Sequence, residues 1–323
     1  FWSTDTFPAR LGGDQELWSY SARQTAHMDI FGESFVAVAA STPDPASEGG
    51  SAVVYGWDHD QQSFAFVQNI QGNPGAACVS AFSIADRELF DTDATFYLAV
   101  GNSYNAEDPE AGLHLYSWDI AARNFTNKRT LQMVIDGSLS PIYSNALETF
   151  VIDDRRYLAV AKSWSAVSPN TSSPVFEYRN GIGFEQIQLV DTTGAMDVEY
   201  TRTSLSGVGA VDLLIYSNFF GRAGTHADST VDVYVFDDDD RRFRHRGAIP
   251  SSGSFGLSAF SLLGEGQFLA VANRQNRQPF VPGDIFAYDV SSKVYKWNVI
   301  SGQYDVYQVL DGSFQSVVVD DAP

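Results

Sequence analysis

The sequence predicts an all-β chain built from one four-stranded antiparallel unit repeated along its length. Three observations predict it. Aromatic residues make up 14% of the 323 residues and glycines number 26, with few long helix-favouring stretches between them. A motif of an aliphatic, an aromatic, any residue and an aromatic recurs five times at nearly constant spacing. The segment from Ser291 to Ser313 alternates apolar and polar positions on both sides of a glycine-containing turn, the pattern of a β-hairpin.

Each strand of the unit can be justified in order. The first reads Leu17-Trp18-Ser19-Tyr20, Val79-Ser80-Ala81-Phe82, Leu147-Glu148-Thr149-Phe150, Val198-Glu199-Tyr200-Thr201 and Leu257-Ser258-Ala259-Phe260. Its third position is small in four of these five copies, which lets neighbouring sheets approach closely. The second strand reads Phe35-Val36-Ala37-Val38, Tyr97-Leu98-Ala99-Val100, Tyr157-Leu158-Ala159-Val160, Leu213-Leu214-Ile215-Tyr216 and Phe268-Leu269-Ala270-Val271. Runs apolar on both faces are expected for a strand covered on both sides.

The third strand carries the recurring motif: Val54-Tyr55-Gly56-Trp57, Leu115-Tyr116-Ser117-Trp118, Val175-Phe176-Glu177-Tyr178, Val233-Tyr234-Val235-Phe236 and Val294-Tyr295-Lys296-Trp297. The second positions of these copies lie 61, 60, 58 and 61 residues apart. The fourth strand opens on an aromatic (Phe64, Phe125, Phe184, Phe243, Tyr304) and holds an aliphatic six residues on (Ile70, Leu131, Val190, Ile249, Leu310). Gln68, Gln188 and Gln308 occupy one equivalent position between them.

A hairpin alone is barely stable in water, so each unit must pack against its neighbours. Four-stranded units repeated radially make a β-propeller. The repeats span about 14–71, 72–132, 143–191, 194–250 and 254–311, within a single domain of residues 1–323. A last blade is split between residues 312–323, with Phe314-Gln315-Ser316-Val317, and residues 1–11, with Phe1, Trp2 and Phe7. Joining these ends would close the ring, at six blades, with seven as the alternative. The split blade lacks a second strand, so either it is short or the chain continues beyond these residues.

At this point the motifs resemble a known family, that of the EAR repeats, also called EPTP or epitempin repeats. Its pattern is a Val-Glu-x-Phe strand, a Tyr-Leu-Ala-Val-Ala-Asn strand, a Val-Tyr-x-Trp strand and a Phe-x-x-x-Gln strand. Gly194-Ala195-Met196-Asp197-Val198-Glu199, Phe268-Leu269-Ala270-Val271-Ala272-Asn273, Val294-Tyr295-Lys296-Trp297 and Tyr304 to Gln308 are the best copies. The resemblance covers residues 14 to 318 and implies an extracellular, secreted β-propeller that binds other proteins. It departs from the family in having five repeats plus a split one rather than seven, and in its longer period.

Composition bounds the partners. The formal charge is −20, and only four of the twenty basic residues are lysines (Lys128, Lys162, Lys293, Lys296). Such a field repels nucleic acid and anionic membranes and favours cations and basic protein surfaces. No run approaches the roughly 20 apolar residues of a membrane helix, and no leader pattern opens the sequence, so a secreted protein would be in processed form. The single cysteine, Cys78, excludes an internal disulfide or a cysteine-based zinc site and is expected as a buried thiol.

Few residues suggest chemistry. None of the five histidines pairs with another at metal-ligand spacing, and no nucleophile elbow or phosphate loop occurs. Asp197 and Glu199, two apart on a first strand, point to one side, and Glu148 holds the position equivalent to Glu199 one unit earlier. Converging carboxylates favour a hard cation, calcium first; the alternative is that they bond backbone amides or water. The run Asp237–Asp240 reads as a solvated turn. The sequons Asn124-Phe125-Thr126 and Asn170-Thr171-Ser172 suggest glycosylation.

The function expected is therefore a non-enzymatic recognition or adhesion module for an extracellular or cell-surface protein. Its contacts would come from loops 40–52, 102–112, 163–174, 218–230 and 273–284, through Phe219, Phe220, Arg222, Arg274, Arg277 and Phe280. Local loop packing is the alternative reading of those six side chains. A propeller hydrolase acting on extracellular glycans and a self-assembling structural component are the rival functions.

Overall fold

Strands follow one another in the order the motifs predict. The computed structural model describes residues 9–10, 14–15, 22–40, 50–71, 75–84, 94–102, 112–162, 170–221, 228–274 and 290–311. A short pair, β1 (Ala9–Arg10) and β2 (Asp14–Gln15), comes first. The first four-stranded sheet holds β3 (Ala22–Ile30), β4 (Glu33–Ala40), β5 (Gly50–Asp58) and β6 (Ser63–Gln71). The second holds β7 (Ala76–Ile84), β8 (Thr95–Asn102), β9 (Leu113–Asp119) and β10 (Asn124–Leu131), and is followed by the hairpin β11 (Met133–Ile135) and β12 (Ser138–Ser140). The third comprises β13 (Ser144–Ile152), β14 (Arg155–Lys162), β15 (Asn170–Arg179) and β16 (Gly183–Thr193). The fourth comprises β17 (Ala195–Leu205), β18 (Gly209–Asn218), β19 (Thr230–Asp237) and β20 (Arg242–Pro250). The fifth comprises β21 (Ser254–Leu262), β22 (Gly266–Asn273), β23 (Ser292–Asn298) and β24 (Gln303–Leu310).

In all five four-stranded sheets among the described residues, spatial order equals sequence order. The fold is thus all-β, made of the four-stranded antiparallel meander that propellers repeat as blades. The ring closure expected from residues 312–323 and 1–11 falls almost wholly outside the described residues. The chain divides into two compact units, residues 1–149 with 179–184, and residues 150–178 with 185–323.

The second strands are the cores of their sheets. Leu158 to Ala161, Leu213 to Tyr216 and Phe268 to Ala272 are essentially without solvent exposure, as their two-sided apolarity predicts. In the first unit Phe35, Ala37, Val54, Val79, Leu98 and Tyr116 share one apolar cluster. In the second, Leu213, Ile215, Val233, Leu257, Leu269 and Tyr295 share another. Cys78 is a buried thiol, 3.6 Å from the Ser144 hydroxyl. Gly101 lies beside both: a Cβ there would come within 2.0 Å of Ser144 Oγ and 2.5 Å of Cys78 Sγ, so only glycine fits.

The seven-residue spacing of aromatics across the outer hairpins has a geometric cause. Trp57 pairs across the turn with Phe64, Trp118 with Phe125, Phe236 with Phe243 and Trp297 with Tyr304. Their ring centroids are 5.0–5.1 Å apart in tilted or edge-to-face arrangements, the contact aromatic quadrupoles prefer. The turns are closed by an acid or amide just after the third-strand aromatic: Asp58 Oδ1 accepts from the Asp60 and Gln61 amides, Asp119 Oδ1 from Ala121 and Ala122, and Asn298 Oδ1 from Ile300 and Ser301. Asp237 does the same for Asp239, and Arg244 forms ion pairs with Asp237 and Asp240.

One element differs from expectation. The first strand of the first sheet is β3, Ala22–Ile30, and Leu17–Tyr20 lies outside the described residues. Met28 pairs with Phe35 as Phe82 pairs with Tyr97, so Thr25-Ala26-His27-Met28 is the first-strand copy. A tight turn at Phe31 and Gly32, at φ of 53° and 82°, lets β3 end directly before β4. Thr25 and His27 are exposed and lack the apolar weight of the other copies, which is why the heavier Trp18 and Tyr20 draw the pattern away.

The repeated glutamine joins one sheet to the next. Gln68 Nε2 donates to the Phe125 carbonyl at 2.8 Å while its Oε1 accepts from the Phe125 amide at 2.7 Å. Gln188 does the same to Phe243, at 2.7 and 2.8 Å. A primary amide has the donor and acceptor spacing of a peptide group, so each glutamine acts as one detached rung of a β-ladder. Gln188→Ala should lower stability by about 1–2 kcal/mol in urea denaturation, with Gln188→Glu falling between because it keeps only the acceptor half. An unchanged unfolding midpoint in Gln188→Ala would show that the clamp is not stabilising.

Candidate functional site

The paired carboxylates sit where the first strand of the fourth sheet meets that of the fifth. Asp197 and Glu199 alternate with Val198 on β17, so both face β21. Asp197 Oδ2 accepts from the Leu257 amide at 2.8 Å and its Oδ1 from the Val198 amide at 2.9 Å. Glu199 Oε1 accepts from the Ala259 amide at 3.0 Å. They act as acceptors that latch two sheets.

The same positions latch in the first unit with other chemistry. Gln24 Oε1 accepts from the Val79 amide at 3.2 Å, as Asp197 does from Leu257, and Ser80 Oγ meets Thr149 Oγ1 at 3.2 Å where Glu199 meets Ala259. Glu148 lies on β13, in the first unit, while Asp197 and Glu199 lie in the second. Among the described residues no three His, Cys, Asp or Glu side chains form a group that could hold a metal.

Burial dominates the electrostatics of the pair. It pushes Asp197 up to about 7 and Glu199 to about 8, against the pull of the amides they accept from; the Asp197 charge raises Glu199 further. Tyr304, whose hydroxyl is enclosed without a hydrogen-bond partner, is held protonated by burial and then by the nearby Glu199 charge.

The long loops begin at a second set of buried polar side chains. Second strands end in asparagine at Asn102, Asn218 and Asn273, all nearly or fully buried. Asn102 donates from both its amide and its Nδ2 to the Gly112 carbonyl, at 3.2 and 2.8 Å. Asn218 donates to Asp232 Oδ2 at 2.9 Å and accepts from the Thr193 amide. Asn273 bonds Ser292 Oγ through its amide, the Ser291 carbonyl through Nδ2, and Ser251 through Oδ1. Where β14 ends in Lys162, the Lys162 amide donates to Ser173 Oγ instead. At each of the four loops at least one of these bonds ties the chain entering the loop to the chain leaving it, while the Thr193 and Ser251 contacts anchor the entry to the preceding segment. The asparagines appear in the motif, but only the cross-loop partners reveal the role.

The expected contact residues divide between base and loop. Phe219 is buried, with its ring 5.1 Å from Phe220 and 6.0 Å from Phe255, and the Arg274 guanidinium lies 5.0 Å from the Phe255 centroid. These two therefore pack the loop base, the local alternative raised by the sequence. Arg222, Arg277 and Phe280 lie outside the described residues. Of the sequons, Asn170 is exposed at the start of β15, whereas Asn124 has its Oδ1 enclosed and Thr126 its hydroxyl buried.

Two expectations follow. The folded pair holds protons at pH values where the unfolded chain has released them, so its contribution to stability is full below the ordinary carboxylate range. It is lost as pH rises from about 4 through about 8. Urea midpoints should fall between pH 5 and 8 in the natural protein and fall less in Asp197→Asn/Glu199→Gln; equal falls would refute the assignment. A calcium ion would have to draw these oxygens off backbone amides, so calcium at about 1 mM should leave the melting temperature unchanged. A rise that Glu199→Gln abolishes would instead place a cation there.

No family model matches the chain. It is 26% identical over 162 residues, half of its length, to the thrombospondin-type laminin G domain and EAR repeat-containing protein of Homo sapiens, of which the match covers 22%. Among solved structures it is similar to the SapL1 lectin in complex with alpha methyl fucoside, at 13% identity and a TM-score of 0.47 over 88% of this chain and 79% of that one. It is also similar to the periplasmic gluconolactonase of Pseudomonas aeruginosa, at 12% identity and a TM-score of 0.43 over 93% and 89%. An exo-β-1,3-galactanase from Phanerochaete chrysosporium gives 11% and 0.45 over 91% and 68%. At such overlaps no ligand or chemistry carries across.

Proposed function

We propose that the chain is an extracellular EAR-repeat recognition module that binds a cell-surface or matrix protein through its second-to-third-strand loops. One observation carries this reading: the loops differ at the two ends of each sheet. First-to-second and third-to-fourth turns take two to four residues, with the ten-residue β7–β8 connection as the exception among the described sheets. Second-to-third connections take seven to eighteen, and four of them spring from a side-chain bond across their base. Long loops on a fixed base supply varied contacts with less ordering cost on binding. The EAR-repeat relative supports the same reading.

The acidic surface suits a basic partner. Exposure of Asn170 at the foot of one long loop supports a glycan at that sequon. A hydrolase would need two carboxyl groups facing a substrate across roughly 5–10 Å; Asp197 and Glu199 instead hold backbone amides.

The test is saturable binding of labelled protein to intact cells. Arg277→Ala and Phe280→Ala should each weaken it about tenfold or more, as expected for interface anchors. Ile182→Ala, in a short turn at the opposite end, should leave it unchanged. Full binding by both loop variants would reject this face.

A further inference from the structure

A run of buried polar side chains in the second unit follows the turns between its sheets. Burying a hydroxyl or an amide is costly unless it is bonded, so the bonds show what these groups hold. Between sheets three and four, the Thr192 hydroxyl meets Ser173 Oγ at 2.8 Å and Thr171 Oγ1 at 3.2 Å. Ser173 and Thr171 stand at the exit of the long connection of sheet three. The next residue, Thr193, donates its hydroxyl to the Phe220 carbonyl and its amide to Asn218 Oδ1, at the entry of the long connection of sheet four. The Phe219 and Phe220 amides return bonds to the Gly194 and Thr193 carbonyls.

The turn between sheets four and five is bracketed in the same way. Ser254 Oγ donates to the Asn218 carbonyl at 2.9 Å, and the Gly253 amide donates to Ser229 Oγ at 2.7 Å. The Ser251 amide adds a bond to the Ser229 carbonyl at 2.9 Å, so both ends of the connection in sheet four are held. On its other side, Ser251 Oγ donates to Asn273 Oδ1 at 2.6 Å and the Gly253 carbonyl accepts from the Arg274 amide at 3.1 Å. Those two residues begin the long connection of sheet five. Joined to the bonds across each loop base, these contacts run unbroken from Lys162 to Ser292.

We propose that the second-to-third-strand loops of sheets three, four and five stand on one shared base and act as a single recognition surface, whose partner is a folded protein domain touching more than one of them. The proposal rests on the function proposed above and gives it a place and a class of partner. The relative position of neighbouring loops matters only to a partner that spans them. A peptide or sugar held by one loop would need only that loop's own staple. Loops held at fixed spacing meet a preformed surface with little ordering cost. Thr193, Ser229 and Ser254 are then positioning residues, acting on the loops through the base.

Hydrogen exchange and cell binding of Thr193→Val test this together. Loss of the hydroxyl should speed exchange of the neighbouring Phe219 and Phe220 amides about tenfold. Because the base opens as a unit, the Gly253 and Arg274 amides across the next turn should speed up with them. The Leu214 and Leu269 amides, buried in their ladders, should keep their natural rates, which separates a loosened base from a weakened fold. Saturable binding to intact cells should weaken about fivefold. Thr193→Ser should restore both readings, and Ser254→Ala should cost less binding when added to Thr193→Val than alone. Faster exchange confined to Phe219 and Phe220 would overturn the shared base, and binding that survives protease treatment of the cells would overturn the partner. A natural protein that binds no cells would reject the underlying function and this partner with it, while the exchange rates still decide the base.

Discussion

The architecture depends on covering both faces of a strand that has no polar face. Tyr157 to Ala161 and Phe268 to Ala272 exclude water on both sides, so a sheet standing alone would expose half of its core. Apolar burial drives sheets together but is indifferent to small slides between them. The directional contacts remove that freedom: a glutamine clamp on the fourth strand, and an acceptor latch on the first. A slide by one residue would cost a clamp both of its bonds and leave a half-buried amide unpaired. Register between sheets is therefore set by a handful of polar side chains working on backbone that no ladder has used.

This assignment changes the meaning of the polar residues that recur with the repeat. Charge and spacing alone leave a glutamate on a first strand open to two readings, a cation ligand or an acceptor for backbone amides. At Glu199 it is an acceptor for the Ala259 amide, and at the matching place in the first unit a serine–threonine pair makes the latch. An interaction met equally by carboxylate, amide or hydroxyl is one in which charge is incidental. The turn acids follow the same logic, since Asp58, Asp119 and Asn298 perform one task with two chemistries.

Periodicity carried most of the fold into the sequence. The central strands and outer hairpins are legible because their requirements, two-sided apolarity and an aromatic pair across a turn, can be met by few residue types. The first strand of the first sheet was misplaced for the converse reason. Arg23, Thr25, His27 and Asp29 are exposed on one side of β3, leaving only Met28 and Ile30 as strong apolar markers, and Trp18 and Tyr20 nearby outweighed them. The clamp and the loop staples were visible as recurring letters, Gln and Asn, but their partners lie in other strands or across a loop. No local pattern encodes a contact from Gln188 to the backbone of Phe243, 55 residues away.

The meander also explains why the long connections gather at one end of each sheet. In four antiparallel strands, the first and third connections emerge together and the second emerges opposite. The first and third close hairpins, and apart from the ten-residue β7–β8 connection an Asx bond or a left-handed residue closes each of them within two to four residues. The second connection is freed from this limit once its ends are tied independently of its length. Asn273 does so by holding Ser291 and Ser292 directly, and the stretch between them is the longest connection in the described sheets. Loop closure costs grow only slowly with length, so a stapled base tolerates large changes in what it displays. The base itself is held by packing as well as by hydrogen bonds, since Phe219 and Arg274 both lie against the Phe255 ring.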